Sequence, residues 1–158
     1  MNRILFFLAI IIFSIFLGSQ ITEGFLLVPY WQSLSTQEFY KYYSKFGPLI
    51  GKFYTILTII AVLIPISISV FCFLNKRTAL KYSIVSSFFA LLIIAIFYTY
   101  FKGTNQQFYE ASFDAYQLKS TLKNWNFMHW LRVLFETISL VFLIITMKVI
   151  DKEETKVT

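Results

Sequence analysis

The sequence predicts an all-α integral membrane protein, a four-helix bundle of up-down-up-down topology. Four apolar stretches, at about residues 4–28, 53–74, 82–101 and 127–150, are each long enough for a hydrocarbon core of about 30 Å, which takes roughly 20 helical residues. Hydrophobic residues form 58% and charged residues 14% of the 158, against roughly 45–50% and 25% in soluble domains. A soluble domain this small leaves much of its surface in water and has no room for so much apolar material inside. None of the stretches alternates apolar with polar residues as a membrane strand does. Backbone groups in lipid must be satisfied within their own segment, which leaves helices.

The first stretch follows Arg3 and resembles a secretory signal at its start. It is expected to be retained as a helix. Phe16 and Leu17 occupy the positions where a cut near Gly18–Ser19 would need small residues, and apolar character resumes at Phe25. Ser14 and Gly18 form a small-x-x-x-small pair that suits close helix contact. The second stretch is preceded by residues 29–52, where Tyr30, Trp31, Phe39, Tyr40, Tyr42, Tyr43 and Phe46 alternate with polar groups. That mixture suits a helix lying flat among lipid headgroups. Only a tight basic turn, Asn75-Lys76-Arg77-Thr78, separates the second stretch from the third. Residues 102–124, before the fourth stretch, are a more polar version of the first loop. The reading is therefore one transmembrane domain, 1–150, and a charged, frayed cytoplasmic tail, 151–158.

Orientation follows the basic residues. Arg3, Lys76, Arg77, Lys81, Lys148, Lys152 and Lys156 crowd short flanks on one side, whereas Lys41, Lys45, Lys52, Lys102, Lys119 and Lys123 are spread through the longer loops. Both termini are expected in the cytoplasm. The formal charge of +6 does not indicate nucleic acid, because the cations sit at helix ends rather than in a stripe. Cys72 is the single cysteine, so no intramolecular disulfide or cysteine metal framework is expected. One histidine cannot form a two-histidine metal or haem site, although His129 with Glu23 or Glu136 would make a weak one. No cofactor is expected, and no phosphate loop or nucleophile motif is present.

Polar groups inside apolar helices are costly and need partners. Helix one carries Gln20 and Glu23. The fourth helix carries Trp125, His129, Arg132 and Glu136, spaced by four, three and four and so on one stripe. In an up-down-up-down bundle Glu23, Lys52, Tyr54, Tyr98, Tyr100, His129 and Arg132 share one leaflet, with Glu136 about 6 Å deeper at 1.5 Å per residue. The asymmetry points to a polar pocket opening to one face. Arg132 paired with Glu136 or Glu23 merely to lock helix packing accounts for the same residues.

The layout also resembles an anthrone oxygenase-like family of small four-helix integral membrane proteins, a domain of unknown function whose fungal members include anthrone oxygenases. The resemblance rests on Leu26-Leu27-Val28-Pro29-Tyr30-Trp31-Gln32-Ser33-Leu34 closing helix one, on Thr104-Asn105-Gln106 after helix three, and on Trp125-Asn126-Phe127-Met128-His129-Trp130-Leu131-Arg132 opening helix four. The chain departs from the pattern in lacking a Pro just before Asn105 and in having Asn126 and Trp130 inside the last motif. The resemblance implies cofactor-independent oxygenation of an electron-rich aromatic ring. His129 would be the base for a phenolic proton, and Arg132 and Asn105 would stabilise the oxyanion.

Two functions are carried forward. One is binding or oxidation of a lipophilic aromatic or quinone-like small molecule, with catalytic His129 and Arg132 and a pocket lined by Glu23, Asn105, Trp125 and Glu136. The other is a non-enzymatic membrane protein or assembly subunit in which those residues only fix helix packing. The lipid bilayer is the expected partner, nucleic acid is not, and a homo-oligomer stays open.

Overall fold

The computed structural model describes residues 3–155, and all of the regular structure among them is helical. Lys156 and the rest of the tail lie outside the described residues. Four long helical rods, Ile4–Ser33, Thr36–Leu74, Leu80–Tyr109 and Ala115–Thr155, are long and apolar enough to cross a membrane, as in a multi-pass membrane protein. The first rod comprises α1 (Arg3–Thr22), a π-helical turn (Glu23–Leu27) and α2 (Val28–Ser33). The second is α3 (Thr36–Leu74). The third comprises α4 (Leu80–Ile96), a second π turn (Phe97–Phe101) and α5 (Lys102–Tyr109). The fourth is α6 (Ala115–Thr155). Each rod packs against the next, and the fourth returns to the first, which closes the expected up-down-up-down bundle.

The rods outrun the apolar stretches, and the two loops expected to lie flat are mostly helix continuations. Ser35 explains the start of α3: its hydroxyl accepts from the Glu38 backbone N–H while the Glu38 carboxylate accepts from the Ser35 N–H at 2.9 Å, a reciprocal capping box. Asp114 does the same for α6, accepting from the Gln117 N–H at 2.8 Å while Gln117 accepts from the Asp114 N–H at 3.2 Å. At 1.5 Å per residue, the 39 residues of α3 and 41 of α6 give rods of about 60 Å, twice the hydrocarbon thickness. Their surplus length forms an aromatic cap in which Trp31, Phe39, Tyr43, Phe108 and Trp125 pack together.

At the other end the bundle is closed by Phe6, Phe13, Phe16, Ala61, Ile68, Cys72, Leu143 and Ile150. Hydroxyls cross-link it: Ser69 with Ser87 at 2.8 Å, and Ser86 with the Ser139 carbonyl at 2.8 Å. Lys76 takes a positive φ of 49° to make the tight turn. Two sequence expectations need correction here. The tail is not frayed as far as Thr155; α6 continues to that residue because the turn grips it, Arg77 reaching Glu153 at 3.5 Å and Glu154 at 3.2 Å while Thr78 bonds Glu153. Ser14 and Gly18 are exposed and make no close helix contact among the described residues, because the inward stripe of the first rod is set by Phe13, Phe16, Gln20 and Glu23.

Candidate functional site

Where α1 meets α6, the polar residues of both rods converge. His129 and Glu136 are 0% exposed, and Gln20, Glu23 and Arg132 are buried beside them. The Arg132 Nη2 donates to the Gln20 side-chain oxygen, to Glu23 Oε2 at 3.2 Å and to His129 Nδ1 at 2.8 Å. Two N–H bonds thus face three acceptors. Glu136 stands 4.0 Å from Arg132 Nε, and neither of its oxygens finds a hydrogen-bond partner among the described residues.

These contacts fix the state of the histidine ring. His129 Nε2 lies 2.9 Å from the Gln20 carbonyl oxygen, which can only accept, so Nε2 carries the hydrogen. Nδ1 is then the lone-pair nitrogen, and the Arg132 guanidinium, which can only donate, occupies it. The ring is also stacked on Trp125 at 5.2 Å with planes 10° apart. Gly24 permits this approach. A Cβ there would fall 2.8 Å from the Trp130 ring and 3.0 Å from His129 Nε2.

Beside the cluster lies a cavity of about 610 Å³, bounded by α3 on one side and by the third rod on the other. Its volume falls within the roughly 300–1,000 Å³ usual for small-molecule sites. Phe97, Phe101, Tyr43, Ile50 and Ile59 make its walls largely apolar. Arg132 enters it from α6 with its guanidinium 4.7 Å over the Phe101 ring, a cation–π contact. Trp31 lines it, 2% exposed, and its indole N–H has no acceptor among the described residues. Asn105 lines it too. The Asn105 Oδ1 accepts from Trp125 Nε1 at 2.9 Å, which leaves the amide N–H bonds for other partners. The cavity therefore presents donors from Trp31, Asn105 and Arg132, the complement of a ligand that carries acceptor oxygens on a flat apolar body.

Of the residues singled out from sequence, Glu23, Asn105, Trp125 and Arg132 line this cavity, and Tyr54 and Tyr98 join them. His129 and Glu136 are not on its wall and stand behind Arg132. Gln20, Gly24, Trp31 and Tyr43 were not picked out as site residues. Gln20 had a usable signal, since it continues the Phe13–Phe16 stripe into Glu23. Trp31 had only its place in the Leu26–Leu34 motif of the family resemblance, and Tyr43 had none, because both sit among other aromatics in a stretch without an apolar rhythm. Among the described residues no group of three His, Cys, Asp or Glu side chains is arranged to hold a metal ion. Comparison with family models, with curated proteins and with solved structures found no match.

Proposed function

We propose that this protein spans the membrane with both termini in the cytoplasm and binds a lipophilic aromatic or quinone-like small molecule in the cavity between α3 and the third rod. The observation that carries this reading is a cavity of ligand size, about 610 Å³, with aromatic walls and a buried indole N–H that lacks an acceptor among the described residues. A buried donor without a partner costs about 1–3 kcal/mol, and a ligand oxygen would recover it. The reading stops at binding. A base needs a free lone pair within reach of substrate, whereas Arg132 occupies the His129 Nδ1 and the ring lies off the cavity wall. For the ion cluster itself, the three Arg132 Nη2 contacts to Gln20, Glu23 and His129 support helix locking, with the cavity alongside as the binding element.

The test should spare Arg132, whose loss would unfold the cluster. Gly51 lines the cavity, and a Cβ there meets nothing within 4 Å, so Gly51→Phe starts its side chain in open space at the cavity edge. Detergent-purified wild type and Gly51→Phe are melted with a panel of quinones, phenols and anthrones. A ligand at 100 times its Kd stabilises by about 2.7 kcal/mol, so at least one compound should raise the wild-type midpoint by a few degrees and leave the variant unmoved. If every class leaves the wild type unchanged, the binding reading is wrong.

A further inference from the structure

The cavity is not closed equally on all sides. Above it, α3 is sealed to the third rod and to the loop that follows it: Tyr43 meets Phe108 at 5.4 Å, Phe39 meets Phe108 at 5.2 Å, and the Tyr40 hydroxyl donates to the Phe113 carbonyl at 2.8 Å. Below it, α3 packs along α4, joined by Ser69 and Ser87. Between these seams α3 barely meets the π turn Phe97–Phe101, and no ring contact or side-chain hydrogen bond joins them among the described residues. The residues flanking this gap are cavity-lining and outward-facing at once. Gly51, Thr55 and Ile59 on α3 and Tyr98 on the π turn all line the cavity and are exposed, Tyr98 by 65%.

The height of the gap decides what it faces. Gly51 to Ile59 spans about 12 Å of helix at 1.5 Å per residue. This stretch begins where the apolar run of α3 begins, and Ile56, Ile60 and Leu63 around and below it are exposed apolar residues. Such a surface belongs against lipid chains. Polar side chains that line the cavity, Lys102 and Gln106, stand at its upper end, where headgroups would lie.

We infer that the cavity opens sideways into the hydrocarbon of one leaflet, through a window between α3 and the π turn Phe97–Phe101, and is loaded from the bilayer by molecules with a hydrocarbon body. This rests on the binding reading above for its purpose and on the window geometry for its route. The occupant approaches with its apolar body between Ile59 and Tyr98 and brings its polar end to Trp31 and Asn105. Gly51 at the sill adds no side chain to the window, and a Cβ there would meet nothing within 4 Å.

Tryptophan emission reads this directly, because Trp31 and Trp125 line the cavity while being only 2% and 3% exposed. Trp130, which lies off the cavity, is replaced by Phe to remove its signal. The full chain is reconstituted in phosphatidylcholine vesicles brominated on one acyl chain, either near the ester or near the methyl end. Bromine near the ester end should quench much of the emission from the two buried indoles, bromine near the methyl end should quench less, and Gly51→Phe should restore the emission. Emission equal to that in unbrominated vesicles overturns the inference. So does quenching by aqueous acrylamide that exceeds quenching by the brominated chains, which would mean loading from water. That acrylamide comparison needs no cavity variant, so it decides the route even if Gly51→Phe does not fold. A negative ligand screen with positive bromine quenching would sink the small-molecule reading and leave the window standing.

Discussion

The two halves of the bundle solve the same packing problem with different side chains. In the half that holds Phe6, Phe13, Phe16, Ala61, Cys72, Ala90 and Leu143, the phenylalanines sit among small residues, aliphatic side chains and serines that let the rods close on one another. In the other half the contacts are made by large flat rings, Trp31, Phe39, Tyr43, Phe101 and Trp125, which meet mostly edge to face at 5.0–6.3 Å. Aliphatic side chains interdigitate to crystal-like density. Rings held edge to face form stiff walls instead, and stiff walls between diverging rods enclose space. The buried ions, the cavity and both π turns all belong to this second half. A bundle of one repeating architecture can thus be a plug at one end and a container at the other.

Substitution should separate the halves by what is lost. The largest effect is expected from Arg132→Ala, which strands Glu23 and the Gln20 and His129 acceptors without their cation. Breaking a buried ion pair from one side costs about 3–5 kcal/mol, so unfolding in a denaturing detergent should come far earlier and any ligand stabilisation should vanish with it. An unchanged unfolding curve would mean that the cluster is not what joins α1 to α6. In the plug half, Leu143→Ala should cost in the lower part of the roughly 2–5 kcal/mol range for such truncations, because lipid removes part of the transfer term. Ligand-induced shifts in midpoint should survive it in full; their loss would show that the halves are not separable. Glu153→Gln, at the partly exposed clasp with Arg77 and Thr78, should cost only about 0.2–1 kcal/mol. It should speed hydrogen exchange in the last turns of α6 before it moves the global midpoint.

The sequence made the membrane core legible and the cap illegible for one physical reason. Hydropathy reports where a helix is in lipid, and it located all four rods. It says nothing of where a helix continues into headgroups or water, and there the boundaries are set by caps. Ser35-x-x-Glu38 and Asp114-x-x-Gln117 fix the starts of α3 and α6 well before their apolar runs. The site was legible in proportion to its polarity. His129, Arg132 and Glu136 announced themselves by their spacing on one stripe, and the costly Glu23 suggested a partner. The cavity had no such signal, because it arises where α3 draws away from a π turn. Nothing in the composition of Phe97–Phe101 marks that divergence.

The π turns bear on how the chain tolerates change in length. A π turn holds one residue more than the α turn it replaces, so at Glu23–Leu27 and at Phe97–Phe101 the helix stores a spare residue as a local widening. Loss of one residue within α1 would rotate Gln20 and Glu23 by about 100° away from Arg132. Loss of the outward-facing Phe25 or Leu26 would instead be absorbed by a return to ordinary α geometry, with Trp31 left in phase on the far side. The two π turns that border the cavity are therefore places where loss of one residue costs less than in the α-helical turns beside them.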